Sequence, residues 1–341
     1  MKQPNELIKE QVIKRMSFDN PWWISASISS DYKAMQPRAY LPDFYDMVAN
    51  MSIRRATILM GPRRVGKTVM IFHTINRLIK SGINPQKIIY ISIDTPIYNN
   101  ISLEELFHYA RQALKQEDCL EGFYVFFDEI QYAADWPGWL KIIYDTQPES
   151  KVIATGSASP ALVKGSTESG AGRWSVIQVP TLSFYEYCSL IGISITNLPK
   201  NLLLSQLLSI TQAERTNIML KLESLRLHFN RYLLVGGFPE LALAEDDFFA
   251  QQIMREDIVD KVLKRDLPAL YNIRNPLELE RIFLYLCNVS SEIVSYDSIA
   301  KELNGVSRPT VENYVRYLES ANLIYISNPV HIEGKKILKS K

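Results

Sequence analysis

An octet at residues 61–68, Gly-Pro-Arg-Arg-Val-Gly-Lys-Thr, constrains the fold more than any other feature of the chain. It fits the pattern Gly-x4-Gly-Lys-[Ser/Thr], in which a loop between a strand and a helix wraps the phosphates of a nucleotide. The apolar run Ala56–Met60 predicts a buried strand before the loop. Apolar residues at near-helical spacing over Val69–Lys80 predict a helix after it, and Ser81-Gly82 would end that helix. The sequence therefore predicts the strand, loop and helix that a phosphate-binding loop requires.

Each residue type in the octet suits this chemistry. Glycines at both ends allow a tight turn in which successive backbone N–H groups point at a phosphate, next to the positive end of the helix dipole. The lysine would bridge the β- and γ-phosphates, and the threonine hydroxyl would complete the coordination of Mg2+. The predicted nucleotide contacts are Gly61, Pro62, Arg63, Arg64, Val65, Gly66, Lys67 and Thr68.

A second motif supports the first. The apolar run Phe123–Phe127 ends in Asp128 and Glu129. A buried parallel strand would deliver these two carboxylates at its carboxyl end, where open α/β sheets bind ligands. Asp128 is then expected to hold Mg2+ through water, and Glu129 is expected to orient and deprotonate the attacking water.

Three further candidates each allow two interpretations. A third strand, Lys151–Thr155, leads into Thr155 and Ser157, whose hydroxyls would either sense the γ-phosphate or serve only as turn and cap groups. Arg173 would either contact the γ-phosphate or form a surface ion pair. Both alternatives stay open at the level of sequence.

The order of the predicted elements gives the architecture. Strands alternate with helices from residue 56 to about residue 180, which predicts a parallel sheet of five strands with helices on both faces. The predicted domains are an N-terminal docking arm (1–50), an ATPase domain (51–185), a helical lid-like domain (186–274) and a winged helix-turn-helix with a C-terminal extension (275–341).

Composition excludes several classes of protein. The 341 residues carry a net charge of +1, so there is no overall attraction to nucleic acid or to anionic membranes. The cysteines are 3 in number and far apart, which indicates neither a disulfide framework nor a zinc site. Charged residues occupy the N-terminus, and no uncharged apolar run approaches the ~18 residues of a spanning helix. We expect a soluble cytoplasmic protein with no membrane partner.

Several segments, taken in order, carry a family resemblance. They are the loop Gly61–Thr68, Phe127–Gln131, Thr155–Ser157, Gly172-Arg173, Pro180–Phe184 and Val235–Glu240. Together they resemble the prokaryotic AAA-type ATPases that are joined to a domain of unknown function, relatives of the STAND and archaeal ATPases. The resemblance implies an AAA+-like P-loop NTPase sheet, with the Thr155 strand between the loop strand and the Asp128 strand. It also implies ATP and Mg2+ as cofactors and a contact of Pro239 with adenine, although Pro239 also fits a plain turn.

The chain departs from this family pattern in two places. Val69 replaces a second hydroxyl residue that often follows the loop, which we expect to be neutral because Thr68 keeps the metal contact. Family members usually continue into a domain that resembles a restriction nuclease, and this sequence stops at Lys341, about where that domain would begin. We therefore expect no nuclease activity from these residues.

Residues 277–327 predict a winged helix-turn-helix. Helices are expected over Leu277–Cys287, Tyr296–Leu303 and Arg308–Ala321, with Ser307 as the cap of the last helix, and a wing strand is expected over Leu323–Ser327. Acidic and basic residues balance in this region, whereas a DNA reader needs several net contacts to phosphates. A structural or protein-binding role is thus favoured over DNA binding.

Two functions from different classes follow. The first is a nucleotide-controlled switch, in which slow Mg2+-dependent ATP hydrolysis moves the helical and winged-helix parts. The expected partners are a nucleotide, a protein bound through these parts and further copies of the chain. The second is a DNA-binding regulator whose winged helix is tuned by ATP. A metabolic phosphotransferase is a weaker third hypothesis, because no acceptor pocket is indicated.

Overall fold

The computed structural model of the chain describes residues 4–52, 54–116, 122–157, 172–195, 205–206, 209–303 and 305–327. These residues divide into two units, the first ending at Ile258 and the second beginning at Val259, and each unit has its own hydrophobic core. The domain boundaries expected from the sequence stay predictions. No helix of the described residues combines the length and the apolar character needed to cross a bilayer.

A parallel sheet forms the centre of the first unit. Its order is β2-β3-β4-β1-β5, and every pair of neighbouring strands runs parallel. This confirms the expected five-stranded sheet. It also confirms that the Thr155 strand, β4, lies between the loop strand β1 and the strand β3 that carries Asp128. The strands are β1 (Ala56–Gly61), β2 (Ile88–Ser92), β3 (Tyr124–Asp128), β4 (Lys151–Ser157) and β5 (Trp174–Gln178).

Burial explains why these segments are strands. Every residue of β1 and β3 is buried, as expected for parallel strands covered on both faces. In the edge strand β5, Trp174 is buried, and half-buried residues alternate with exposed ones over residues 175–178. Because parallel strands all end at the same side, the carboxyl ends of β1, β3 and β4 bring Gly61, Asp128 and Ser157 to one edge of the sheet.

Helices cover the sheet, and several begin at a side-chain cap. Ser102 and Glu105 form a reciprocal capping box at the start of the helix Leu103–Ala113, and Ser183 and Glu186 form another at the start of the helix Phe184–Leu190. The helices of the first unit are α1 (Pro4–Asp19), α2 (Trp22–Ser25), α3 (Ser30–Ala34), α4 (Leu41–Ala49), α5 (Lys67–Lys80), α6 (Leu103–Ala113), α7 (Trp136–Thr146), α8 (Phe184–Leu190), α9 (Gln212–Glu223), α10 (Arg226–Val235), α11 (Pro239–Ala242) and α12 (Asp247–Ile253). Wider π-type turns cover Met254–Asp260 and Val262–Asp266.

The N-terminal segment covers the open edge of strand β2. The Asn20 side chain accepts a hydrogen bond from the Tyr90 N–H (2.7 Å) and donates one to the Tyr90 carbonyl (2.9 Å). The indole N–H groups of Trp22 and Trp23 both donate to the Ile88 carbonyl, at 2.9 and 2.8 Å. Side chains thus take the place of a further strand and satisfy the outward backbone groups of the edge.

The second unit is helical. Ser307 caps the last helix, as predicted, by accepting a hydrogen bond from the Thr310 N–H. Residues 323–327 do not form a strand, and the chain beyond residue 327, which would supply the rest of a wing, lies outside the described residues. The winged helix therefore stays a prediction. The helices are α13 (Leu267–Tyr271), α14 (Pro276–Asn288), α15 (Tyr296–Glu302) and α16 (Arg308–Ser320).

Candidate functional site

The loop between β1 and α5 has the shape that its glycines make possible. Gly66, at the start of α5, adopts a φ of 93°, a left-handed conformation that favours glycine. A methyl group on Gly61 would lie 2.3 Å from the Val179 carbonyl oxygen, so no larger residue fits there without backbone movement. The loop backbone therefore turns tightly into the N-terminus of a long helix, where backbone N–H groups attract anions.

Lys67 lies buried beneath this loop, with only 4% of its surface exposed. Its ammonium group donates hydrogen bonds to the carbonyls of Gly61 (3.0 Å) and Pro62 (2.9 Å). Burial lowers the pKa of Lys67, and the negative charges of Glu129 and Asp128 partly oppose that shift. A phosphate entering the loop would thus meet an ammonium group that already lies against the turn.

Asp128, at the end of β3, is buried, and both of its carboxylate oxygens accept hydrogen bonds from hydroxyl groups. Oδ2 accepts from Thr68 (2.8 Å) and from Tyr90 (2.9 Å), while Oδ1 accepts from Thr155. Thr68 comes from the loop helix, so the two motifs predicted separately from the sequence are in direct contact. No cluster of three or more His, Cys, Asp or Glu that suits a metal occurs in the part of the chain that the structure describes. The hard oxygen donors of Thr68 and Asp128, completed by phosphate oxygens and water, fit Mg2+.

Glu129 adopts a left-handed conformation, with φ 54° and ψ 46°. A non-glycine residue in this region carries backbone strain, and such strain is concentrated at functional sites. The Glu129 N–H donates to the Thr155 hydroxyl (3.2 Å), and its carboxylate accepts from the Gln131 amide. The structure therefore holds Glu129 beside the Lys67 and Asp128 side chains with its backbone and its side chain both fixed.

The two small hydroxyl residues of β4 have different positions. Thr155 is fully buried, and its hydroxyl connects the Asp128 carboxylate to the Glu129 backbone. Ser157 lies at the end of β4, paired in register with Gly61 at the start of the loop. The structure thus brings both residues to the site, and of the two it is Ser157 that lies beside the loop.

Arg173 is not brought to the loop. It precedes β5, and its carbonyl accepts a hydrogen bond from the Ala56 N–H at the opposite end of strand β1. Its guanidinium lies 3.9 Å from the Asp145 carboxylate in an exposed ion pair. Of the two interpretations of Arg173, this geometry favours the surface pair, because the sheet separates the residue from the phosphate loop.

Arg38 supports the loop from the N-terminal segment, and no local motif in the sequence predicts this role. The residue is 6% exposed, and its guanidinium donates to the Val65 carbonyl of the loop and to the Pro180 carbonyl. The same guanidinium binds both carboxylate oxygens of Glu186, at 2.9 and 3.3 Å. A buried arginine with every bond directed at fixed backbone or carboxylate groups holds the loop in place.

The helical segment after residue 235 also contacts the loop. A methyl group on Gly66 would lie 3.8 Å from Arg38 Cγ and 4.0 Å from Pro239 Cγ, so Pro239 lies against the turn. Arg64, in the loop, forms ion pairs with both Glu240 and Asp257. Another loop arginine, Arg63, donates to the Tyr132 hydroxyl at 2.7 Å.

Tyr90 is a member of the site that sequence reasoning missed. It lies inside an apolar run, Ile88–Ile93, which indicates only a buried strand. Burial, together with the charge of Asp128, raises the pKa of Tyr90 well above its ordinary value, so the hydroxyl stays protonated and remains a donor. Tyr90 is the middle residue of β2, and no local feature of the sequence distinguishes it from an ordinary strand tyrosine.

Curated relatives of this chain are uncharacterized proteins. One from Methanocaldococcus jannaschii is 28% identical over 300 residues, covering 87% of this chain and 62% of the relative. One from Haemophilus influenzae is 23% identical over 289 residues, covering 83% of this chain and 64% of the relative. The chain thus spans a little over three-fifths of the length of these two relatives.

Solved structures align with most of this chain at low TM-scores. AMPPCP-bound DnaA from Aquifex aeolicus aligns with 86% of this chain and 92% of its own, at 17% identity and a TM-score of 0.35. The Hsp104–ADP complex of S. cerevisiae aligns with 86% of this chain and 40% of its own, at 17% identity and a TM-score of 0.38.

Family models match the two parts of the chain separately. Residues 53–188 match the model described as an AAA domain, and residues 226–341 match a model described as a domain of unknown function. The first match covers the whole sheet, including the loop, both acidic residues and β4. Residues 53–188 are therefore an AAA domain of the P-loop ATPase type, and a separate domain of unknown function follows it.

Proposed function

We propose that this chain is a Mg2+-dependent ATP hydrolase that acts as a nucleotide-controlled switch. One observation carries the hydrolase proposal: the Thr68 hydroxyl of the phosphate loop lies 2.8 Å from Asp128 Oδ2. The proposal is supported by this contact between the loop motif and the acidic motif, by Lys67 under the loop, and by the strained Glu129 next to Asp128.

The residues divide the work of hydrolysis as follows. Backbone N–H groups of the loop and the Lys67 ammonium would hold the β- and γ-phosphates, and Pro239 would contact the adenine. Thr68 and Asp128 would hold Mg2+, which when bound offsets the negative charge of the phosphates. Glu129 would accept the proton of the attacking water. Ser157, at the end of β4, would contact the γ-phosphate, while Thr155 keeps the two acidic residues in place.

Contacts of the loop with the helical segment support the switch. Arg64 is part of the phosphate-binding turn, yet its guanidinium pairs with Glu240 and Asp257, which lie in that segment. A triphosphate in the turn would compete with these two carboxylates for the same guanidinium, because phosphate oxygens and carboxylates use the same arginine donors. Binding and hydrolysis would therefore change how firmly the segment Pro239–Asp257 is held.

Two variants test the hydrolase. Lys67→Ala should abolish nucleotide binding, with Lys80→Ala, an exposed change in the same helix, as its matched control. Glu129→Gln should bind ATP with Mg2+ but turn it over about 10²- to 10⁴-fold more slowly, because the water is no longer activated. Phosphate release and calorimetry of the nucleotide measure both. If Glu129→Gln hydrolyses ATP like the parent, the assignment of the base is wrong, and if EDTA leaves turnover unchanged, the reaction does not depend on Mg2+.

Hydrogen exchange tests the switch. Amides of Pro239–Asp257 should exchange at a different rate when a nonhydrolysable ATP analogue is bound, and Glu240→Gln combined with Asp257→Asn should reduce that difference. The exposed Glu223→Gln on α9 is the control, because Glu223 pairs with Arg226 in a surface contact. Identical exchange in this segment with and without the analogue would refute the switch.

Charge pairing in the second unit argues against the DNA-binding alternative. Arg308 lies 3.2 Å from Asp297, and Arg316 pairs with Glu312, so both basic residues of the predicted reading helix already have acidic partners. We expect no binding of duplex DNA in a salt titration, whereas a steep fall of affinity with salt would favour the regulator. A protein partner and a homo-oligomer are also proposals, which mass measurements with and without nucleotide would test.

A further inference from the structure

Tyr90 reaches the acidic centre of the site from the neighbouring strand. Strand β2 pairs in parallel with β3, with Tyr90 opposite Phe126 and Ser92 opposite Asp128. Side chains two residues apart lie on the same face of a strand, so the Tyr90 ring lies on the face to which Asp128 points. Its hydroxyl donates to Asp128 Oδ2 at 2.9 Å, and only 7% of the residue is exposed.

The ring and the backbone of Tyr90 are both held in place. Its ring lies 4.9 Å, centroid to centroid, from the ring of Phe72 on the loop helix, and Phe72 in turn stacks on Tyr32 at 4.0 Å. Its backbone N–H and carbonyl both bond to the Asn20 side chain. Because its ring and its backbone are both held, the Tyr90 hydroxyl can fix the orientation of the Asp128 carboxylate to which it donates.

The two oxygens of Asp128 have different sets of partners. Oδ1 accepts hydrogen bonds from the Thr155 hydroxyl on β4 and from the N–H of the following residue, Glu129. Oδ2 bonds to Thr68 and Tyr90. The Thr68 hydroxyl would turn to the metal when Mg2+ binds. The Tyr90 hydroxyl does not bind the metal, so it can keep its hydrogen bond to Oδ2.

We propose that Tyr90 is a positioning residue for Asp128, and that its hydroxyl sets the strength with which this carboxylate holds Mg2+ in the ATP complex. The inference rests on the proposed function and adds a residue to it. It also gives the N-terminal segment a part in the chemistry, because Asn20 fixes the strand position from which Tyr90 acts.

Tyr90→Phe tests the proposal, since it removes the hydroxyl and keeps the ring that packs on Phe72. Tyr98→Phe is the matched control: Tyr98 is 2% exposed, and its hydroxyl lies 3.5 Å from the carboxylate of Asp19, a residue of α1 outside the site. For each protein, calorimetry measures the affinity for a nonhydrolysable ATP analogue with Mg2+ and with EDTA, and the unfolding midpoint is recorded.

We expect Tyr90→Phe to weaken binding of the analogue with Mg2+ and to leave binding in EDTA unchanged. The factor by which Mg2+ tightens binding of the analogue should fall about tenfold in Tyr90→Phe, the value of one hydrogen bond to a charged group. Affinity in EDTA should match that of the parent, and Tyr98→Phe should match the parent in both conditions. An unchanged Mg2+ factor, or an equal loss with Mg2+ and with EDTA, would overturn the proposal, the latter because it would show a merely structural role. If the parent itself binds no analogue, it is the proposed function that fails.

Discussion

The ion pair of Arg38 with Glu186 allows a quantitative test of how the N-terminal segment supports the phosphate loop. The Arg38 side chain is 4% exposed and that of Glu186 is 10% exposed. Replacing Arg38 with methionine keeps the stem but leaves a buried carboxylate without its cation. Removing one partner of a buried pair destabilises a protein by about 3–5 kcal/mol.

The lower end of that range applies here. Glu186 keeps hydrogen bonds from the N–H groups of Ala39 (3.1 Å) and Ser183 (3.1 Å) after the arginine is gone. We therefore expect the free energy of unfolding of the first unit to fall by about 3 kcal/mol. At about 2–4 °C per kcal/mol for a unit of this size, the unfolding midpoint should fall by about 6–12 °C.

The loss should depend on pH in a defined direction. In the parent, burial raises the pKa of Glu186, but hydrogen bonds from Arg38 and Ser183 lower it by more, so the pKa lies below its ordinary value. A carboxylate with a lowered pKa stabilises the fold above its unfolded pKa of about 4.3, and this contribution is lost as the pH falls through the folded pKa. Without Arg38, the Glu186 carboxyl takes up a proton more easily. The difference between parent and variant should thus be largest near neutral pH and shrink below about pH 4.

A second substitution provides the control. Glu186→Gln in the Arg38→Met background removes the unpaired charge and keeps one of the two acceptor oxygens, so that the bond from either Ser183 or Ala39 remains. Thermal and denaturant unfolding, followed by circular dichroism, should show the double variant closer to the parent than Arg38→Met is. If Arg38→Met unfolds at the parent's midpoint at neutral pH, or if Glu186→Gln lowers the midpoint further in that background, the pair does not have the role that we assign to it.

Two glycine substitutions distinguish an effect on backbone strain from an effect on nucleotide binding in the phosphate loop. Gly66→Ala and Gly82→Ala each force an alanine into a left-handed conformation, with φ of 93° and 95°, and each should reduce stability by about 1–2 kcal/mol in unfolding experiments. Only Gly66→Ala should also weaken binding of an ATP analogue in calorimetry, because only Gly66 lies in the loop, and equal binding by both variants would contradict that expectation. Thr68→Val, which keeps the shape and removes the hydroxyl, should abolish most of the gain in analogue affinity that Mg2+ gives while leaving affinity in EDTA near that of the parent. A Mg2+ gain equal to the parent's would show that Thr68 does not bind the metal.

The sheet and the phosphate loop could be predicted because their signals are local. A buried parallel strand is written as a continuous apolar run, and the loop, the acidic pair and the Thr155 turn each follow such a run directly in the sequence. The carboxyl ends of parallel strands lie at one edge, so the contact of Thr68 with Asp128 follows from the order of the motifs.

The residues that hold these motifs in place could not be predicted in the same way. Arg38 and Tyr90 act on groups that are distant in sequence, and nothing in their own neighbourhood distinguishes them from a surface arginine and an ordinary strand tyrosine. Their roles depend on burial and on the direction of their hydrogen bonds, which only the folded chain defines. Arg173 shows the converse, because a sequence position that resembles the family pattern lies at the opposite end of the sheet.

The N-terminal segment is the part of the chain whose role in the structure differs most from the role that its sequence predicts. The sequence predicts a docking arm over residues 1–50. In the structure, its side chains Val12, Met16, Trp22 and Phe44 have no exposed surface and belong to the same core as the sheet. Burial of each such side chain stabilises a fold by about 1.5–3 kcal/mol, so these residues together contribute as much as the whole net stability of a typical domain, about 5–15 kcal/mol.

A variant that begins at Met51 should therefore not fold as a functional ATPase domain. It would expose the core under α1 and α4, open the β2 edge at Ile88 and Tyr90, and release the Val65 carbonyl from Arg38. We expect it to lack a cooperative unfolding transition and to bind no ATP analogue, whereas Phe18→Ser, a change at a residue that is 75% exposed on α1, should keep both. A truncated chain that unfolds cooperatively and binds the analogue like the parent would show that the segment is an appendage, and the support that we assign to Arg38 and Asn20 would then be wrong.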